Sequence, residues 1–242
     1  MAFLLTSWGQ LAYADHGGAG VATLFLHGTG CAAADWAGVL EELPAAVRPV
    51  TMDFRGHGSS DVPGAGFSLE DLADDALALL GHLRADSAWI VGHSLGGMVG
   101  LAAAQKSRAI AGLVLLEGWT SLRAAGAFVG ERFHGRLDAE RIATIRRQAD
   151  GTRARFRPQD WTRFWESVQA FDATAFLAQT TIPIVEVYGA MGRAPEAERQ
   201  LQVPNRPNIH WAWVPDAGHY LPHERPADVA AICQRSIVPT GR

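Results

Sequence analysis

Lysine is almost missing from this 242-residue chain: one Lys stands beside 20 Arg, against 25 Asp and Glu, for a net charge of −4. No block of five or more basic residues occurs. The electrostatic footprint required by nucleic acid or an anionic membrane surface is therefore absent, and neither is expected as a partner. Cysteine is just as scarce. Cys31 and Cys233, about 200 residues apart, make neither a disulfide framework nor a metal-ligand cluster, so buried apolar roles and no metal are expected. Long apolar runs are lacking as well: Met1–Gly9 has no Lys or Arg and only a short apolar stretch, which fits neither a signal peptide nor a membrane span. A cytoplasmic protein is expected. The chain does have 48% apolar and 19% charged residues, which excludes intrinsic disorder and suits one fully cored α/β domain rather than two.

Periodicity places β-rich runs at Phe3–Thr6, Leu11–Ala14, Thr23–Leu26 and Val47–Asp53, the first two joined as a hairpin across Ser7–Gln10. From Thr23 onward strands alternate with helical patterns. These are helices at Asp35–Leu43 and Ser68–Leu83, a strand at Ala88–Val91, a small-residue helix at Leu95–Lys106 and a strand at Ile110–Leu116. Later come a strand at Ile182–Tyr188, a helix near Pro195–Leu201, a strand at Ile209–Val214 and a helix near Pro226–Ile237. Ser68 followed by Asp71 is a capping pair. The alternation predicts an α/β fold with a mostly parallel sheet of about eight strands, an antiparallel start and crossover helices. Between Gly118 and Thr180 only helical patterns occur, carrying 10 of the 20 Arg. The expected organisation is a core of residues 1–118 and 181–242 with a helical cap at 119–180. In the cap, Trp161, Phe164, Trp165 and Val168 share one helix face, which either covers a cleft or packs as the cap's own core. Trp119, Trp161 and Trp165 are the candidate substrate contacts.

Gly92-His93-Ser94-Leu95-Gly96 is a G-x-S-x-G pattern set between a strand and a helix. Ser94 thus falls on a tight strand-to-helix turn, where small neighbours permit the strained backbone that exposes a nucleophile. The N–H of Leu95, at the helix N-terminus, is one candidate oxyanion donor. The Gly-rich turn His27-Gly28-Thr29-Gly30, after the strand ending at Leu26, offers the N–H of Thr29 as a second. A serine hydroxyl needs a base within hydrogen-bond reach. His219, in the loop after the final strand, is the candidate and His223 its rival. His93 is expected to point away and pack, and His27 and His57 to brace their loops.

These motifs resemble a serine-dependent member of the α/β-hydrolase fold superfamily, esterase- or lactonase-like with a short helical cap. The residues that carry the resemblance are His27-Gly-Thr-Gly30, Asp53-Phe-Arg-Gly-His-Gly-Ser-Ser60, Gly92-His-Ser-Leu-Gly-Gly97 and Asp216-Ala-Gly-His219. They span nearly the whole chain in the family's order. The resemblance implies nucleophile, oxyanion loop and base but names no substrate. Serine at position 94 argues against the dehalogenases and epoxide hydrolases, whose nucleophile is a carboxylate.

The chain departs from the family at the acid. Members usually carry an Asp in the loop after the strand before the last, and the aligned position here is Gly192, which cannot orient an imidazole. A minority place the acid after the strand that follows the nucleophile helix, and here Glu117 ends that strand. Glu117 is therefore the expected third member, ahead of Asp216 and of Glu186 inside a strand. Asp53 and Asp61, flanking Arg55-Gly-His-Gly58, read as a structural Asp–Arg arrangement.

The resulting expectation is a carboxylic-ester hydrolase without cofactor, acting on a small to medium apolar or aromatic substrate. Alternatives with the same fold are an enol-lactonase or carbon–carbon hydrolase, a lyase of the hydroxynitrile type, and a ligand-binding or signalling protein with little turnover.

Overall fold

Runs rich in Val, Leu, Ile and Ala form eight strands: β1 (Ala2–Leu5), β2 (Gln10–Asp15), β3 (Ala22–Leu26), β4 (Arg48–Met52), β5 (Ala88–His93), β6 (Ile110–Leu116), β7 (Ile184–Gly189) and β8 (Ile209–Val214). The computed structural model, which describes residues 1–125, 133–191 and 201–238, joins them in the order β1-β2-β4-β3-β5-β6-β7-β8. The β1–β2 and β2–β4 pairs are antiparallel. From β4–β3 to β7–β8 every pair is parallel. Every residue of β3 and β5 is buried, as expected for parallel strands covered by helices on both faces.

Helices α1 (Ala37–Glu41) and α2 (Leu69–His82) precede β5, and α3 (Leu95–Lys106) follows it. The Ser68 hydroxyl accepts from Asp71 N–H, and the Asp71 side chain returns to the Ser68 backbone, so the capping pair is formed. The helix expected over Asp35–Leu43 is instead a 3₁₀ turn, Ala33–Trp36, running into the short α1. Pro44 accounts for its early end, because it disfavours helical geometry at Leu43. The helix expected near Pro195–Leu201 lies, but for Leu201, outside the described residues. Arg55 pairs with Asp75 at 2.6 Å rather than with Asp53 or Asp61. Asp53 accepts from Ala33 and Ser59 N–H, and Asp61 from Gln10 N–H. Both carboxylates are spent on backbone donors, and the α2 carboxylates take the guanidinium.

Between β6 and β7 lie α4 (Leu122–Ala125), α5 (Ala139–Ala154), α6 (Pro158–Ala170) and α7 (Thr174–Gln179); after β8 come α8 (Leu221–Glu224) and α9 (Pro226–Ile237). The α6 stripe divides. Phe164 and Val168 are buried in the main core beside α2, and Phe164 stacks on Phe67 with ring centroids 4.9 Å apart. Trp161 packs on Phe156 at 5.3 Å and lines a surface groove with Arg153 and Pro158. Parallel pairing brings the ends of β3, β5, β6, β7 and β8 to one sheet edge, where loops in such folds carry the site.

Candidate active site

Ser94 leaves β5 and starts α3 with φ 54° and ψ −117°, a backbone that costs an L-residue of order 1–3 kcal/mol and concentrates at functional positions. The turn closes because its neighbours lack side chains. A Cβ on Gly92 would stand 2.3 Å from the Gly96 carbonyl oxygen, and one on Gly96 would stand 2.1 Å from that of Leu26. Gly96→Ala is accordingly expected to cost about 1–3 kcal/mol in urea unfolding through overpacking; an unchanged midpoint would mean that α3 shifts freely.

The β3–α1 loop lies directly against Ser94, since a Cβ on Gly28 would be 3.3 Å from Ser94 Cβ. His27 holds that loop. Its Nδ1–H donates to the Gly28 carbonyl at 2.8 Å while Nε2 accepts from Phe54 N–H at 3.1 Å. Burial pushes its pKa down to about 4, keeping the ring neutral. His57 is pushed down to about 3 by burial and donates to the Arg55 carbonyl. Thr29 lines the Ser94 pocket, and Leu95, the first residue of α3, contributes one of the N–H groups without an intrahelical partner.

His219 is buried in the loop after β8. Its backbone is anchored on both sides: its N–H donates to the Phe133 carbonyl at 2.9 Å, and its carbonyl accepts from His93 Nε2 at 2.9 Å. The Glu224 carboxylate accepts from Gly218 and Tyr220 N–H. The imidazole stacks on Phe133 at 4.3 Å and on Trp119 at 5.1 Å. Nδ1 faces Glu117, whose Oε2 is 3.5 Å away, longer than a formed hydrogen bond; such contacts are often loose before substrate binds. Glu117 is fully buried with φ 54°. Its Oε1 accepts from Gly189 N–H at 2.8 Å, so the end of β7 aims a carboxylate that belongs to β6.

The other sequence candidates are engaged elsewhere. Asp216 pairs with Arg136 at 2.9 Å. His223 accepts from Arg141 and stands 3.4 Å from Asp35. Glu186, on β7, accepts from the Tyr188 hydroxyl. Gly192 lies outside the described residues. Ser94, His219 and Thr29 share one pocket of about 240 Å³ walled by Cys31, Trp119, Phe133, Trp165 and Tyr220. Trp119 and Trp165 are among the described lining residues of that pocket, and Trp161 is not. Sequence reasoning missed Phe133 and the anchoring role of His93, because their contacts with His219 join residues far apart in the chain. Burial pushes the Cys31 thiol up, so it stays protonated.

Residues 23–232 match the model of the alpha/beta hydrolase family. The chain belongs to that family. Across 121 residues this alpha/beta hydrolase is 38% identical to the RutD protein of Variovorax paradoxus, covering 48% of this chain and 46% of the relative. It is 37% identical over 89 residues to the 2-(acetamidomethylene)succinate hydrolase of Mesorhizobium japonicum, covering 37% and 32%. The match to an uncharacterized Mycobacterium tuberculosis protein spans only 25% of that protein; the chain thus spans less than half the length of these curated relatives. Among solved structures, the N-acyl homoserine lactonase AidH bound to N-hexanoyl homoserine lactone superposes with a TM-score of 0.77 at 22% identity, over 97% of this alpha/beta hydrolase and 96% of AidH. An esterase of Thermogutta terrifontis gives 0.69 at 24%, over 97% and 96%. Among the described residues no helix is long and apolar enough to cross a membrane.

Proposed function

We propose that this alpha/beta hydrolase cleaves a carboxylic ester through an acyl-enzyme on Ser94. The observation that carries this reading is the strained turn presenting Ser94 into a pocket shared with His219, whose Nδ1 side is faced by the buried Glu117. His219 Nε2 removes the Ser94 proton as Oγ attacks the carbonyl carbon. The N–H groups of Thr29 and Leu95 bind the oxyanion. The imidazolium then protonates the leaving alkoxide as the carbon–oxygen bond breaks. Water, deprotonated by His219, attacks the acyl-enzyme, and Ser94 leaves with its proton restored. Glu117 keeps the imidazole in the required tautomer throughout. Residues 119–180 act as a cap, with Trp119, Phe133 and Trp165 supplying apolar walls that exclude water from the acyl group.

A second reading, hydrolysis of a cyclic ester, follows the same steps with the leaving oxygen still tethered to the acyl group. The lactonase among the structural relatives supports it. Both readings are tested by treating wild type and Ser94→Ala with a fluorophosphonate and weighing the intact proteins. A single adduct on wild type that the variant lacks is expected. A folded wild-type protein that takes no adduct would overturn the reading and favour a ligand-binding role.

A further inference from the structure

The pocket around Ser94 is small, apolar and short of charge. Its volume of about 240 Å³ falls below the roughly 300–1,000 Å³ of pockets that enclose drug-sized ligands. None of its described lining residues is Asp, Glu, Lys or Arg. Four aromatic rings and the Cys31 thiol form its walls. One of those walls carries a polar group that the mechanism above does not use: the hydroxyl of Tyr220.

Tyr220 directly follows the base, and its ring meets that of His219 edge-on at 5.4 Å. Further edge-on and tilted contacts to Phe133 at 5.5 Å and His93 at 5.8 Å hold the ring on both sides of the base loop. The side chain is thus oriented by packing, and it lines the pocket beside Ser94 and His219. Burial, followed by the nearby Cys31 and Asp35, pushes the phenol pKa well up, so the group remains a donor at any working pH. The hydroxyl is not among the buried side-chain atoms that lack a partner, so it is open to water that a substrate oxygen can replace.

We infer that Tyr220 is a specificity-determining residue: its hydroxyl donates to a second oxygen of the substrate, an ether, keto or amide oxygen close to the scissile carbonyl. The favoured substrates are compact uncharged esters carrying that oxygen. A pocket with a dedicated donor discriminates against an analogue that lacks the acceptor, because the donor is then buried unpaired. Its described lining residues offer no charged partner, which disfavours dicarboxylates. This inference rests on the serine-hydrolase reading above.

The test compares isosteric ester pairs on wild type and Tyr220→Phe. Phenyl methoxyacetate against phenyl butanoate places the acceptor in the acyl part; 2-methoxyethyl acetate against butyl acetate places it in the leaving group. For each pair the ratio of kcat/KM values is read, so differences in intrinsic reactivity cancel between the two proteins. The expected result is a five- to tenfold fall in the ratio for at least one pair, the size of one neutral hydrogen bond. Ratios within twofold of wild type for both pairs would overturn the inference, as would failure of a fluorophosphonate-reactive wild type to cleave any of the four esters. Absence of the Ser94 adduct would instead sink the serine-hydrolase reading, and the role of Tyr220 with it. A Tyr220→Phe protein that still takes the adduct establishes that the ratio is measured on an intact site.

Discussion

Glu117→Gln is expected to leave a folded protein whose ester turnover falls by roughly 10²–10⁴, most of it in kcat. The side chain is fully buried, so a neutral isostere removes a charge without opening a cavity. Glutamine retains a carbonyl oxygen for the Gly189 N–H, which Glu117 now meets at 2.8 Å. The carboxamide then turns its NH₂ toward His219 Nδ1, the atom that Oε2 faces at 3.5 Å. Two donors cannot pair, so the imidazole is driven into the tautomer that carries its proton on Nε2, where it cannot accept from Ser94. The growing imidazolium also loses its counter-charge. Steady-state kinetics on a simple phenyl ester, with circular dichroism to verify the fold, makes the measurement. Activity within a few fold of wild type would remove Glu117 from the reaction and return attention to Asp216, which now pairs with Arg136.

A second large effect concerns Glu186, a buried carboxyl on β7 that accepts from the Tyr188 hydroxyl at 2.9 Å and has no hydrogen-bond partner at Oε1 among the described residues. Burial pushes its pKa up to about 8. The folded protein therefore keeps a proton that the unfolded chain releases above its ordinary value near 4.5. Stability from this group is fully present below the unfolded value, declines as pH rises through the window, and levels off above about 8. The slope is at most about 1.4 kcal/mol per pH unit, so a loss of a few kcal/mol accumulates. Glu186→Gln keeps an acceptor for Tyr188 and carries no ionisable group. Urea unfolding of both proteins from pH 5 to 8.5 is expected to show the variant gaining on wild type by roughly 2–4 kcal/mol across that range. Parallel stability curves would show that the carboxyl ionises in the folded state at no cost.

Much of the fold was legible because its signals are local. The strand Ala88–His93, the Gly-flanked turn at Ser94 and the helix Leu95–Lys106 are contiguous in the chain, and period and glycine placement specify each of them. The antiparallel start and the later parallel alternation follow from loop lengths: four residues join β1 to β2, whereas the parallel strands are joined by crossovers. The helical segment near Asp35 runs over residues 33–41, two residues earlier than its apolar periodicity suggests, because Pro44 disfavours helical geometry at Leu43. The Arg55 partner was misjudged for a different reason. Asp53 and Asp61 are close to Arg55 in sequence, but the guanidinium reaches Asp75 on α2, which only the packing of that helix brings near.

Local pattern is enough to put Ser94, Glu117, the Gly28–Thr29 loop and His219 at the carboxyl ends of their strands. Each follows a strand whose hydrophobic pattern is self-evident, and parallel pairing carries all of them to the same edge. What surrounds His219 depends on contacts between distant segments. Phe133 and Trp119 lie against the imidazole, His93 holds its backbone from 126 residues away, and Gly189 aims Glu117 across the β6–β7 pair. Tertiary structure also decided that Trp165 faces the pocket while Trp161, one helical turn earlier, faces a groove outside it. A helical pattern defines the apolar face of α6 but not the neighbour that each turn of that face meets, since the neighbours are set by the packing of distant segments.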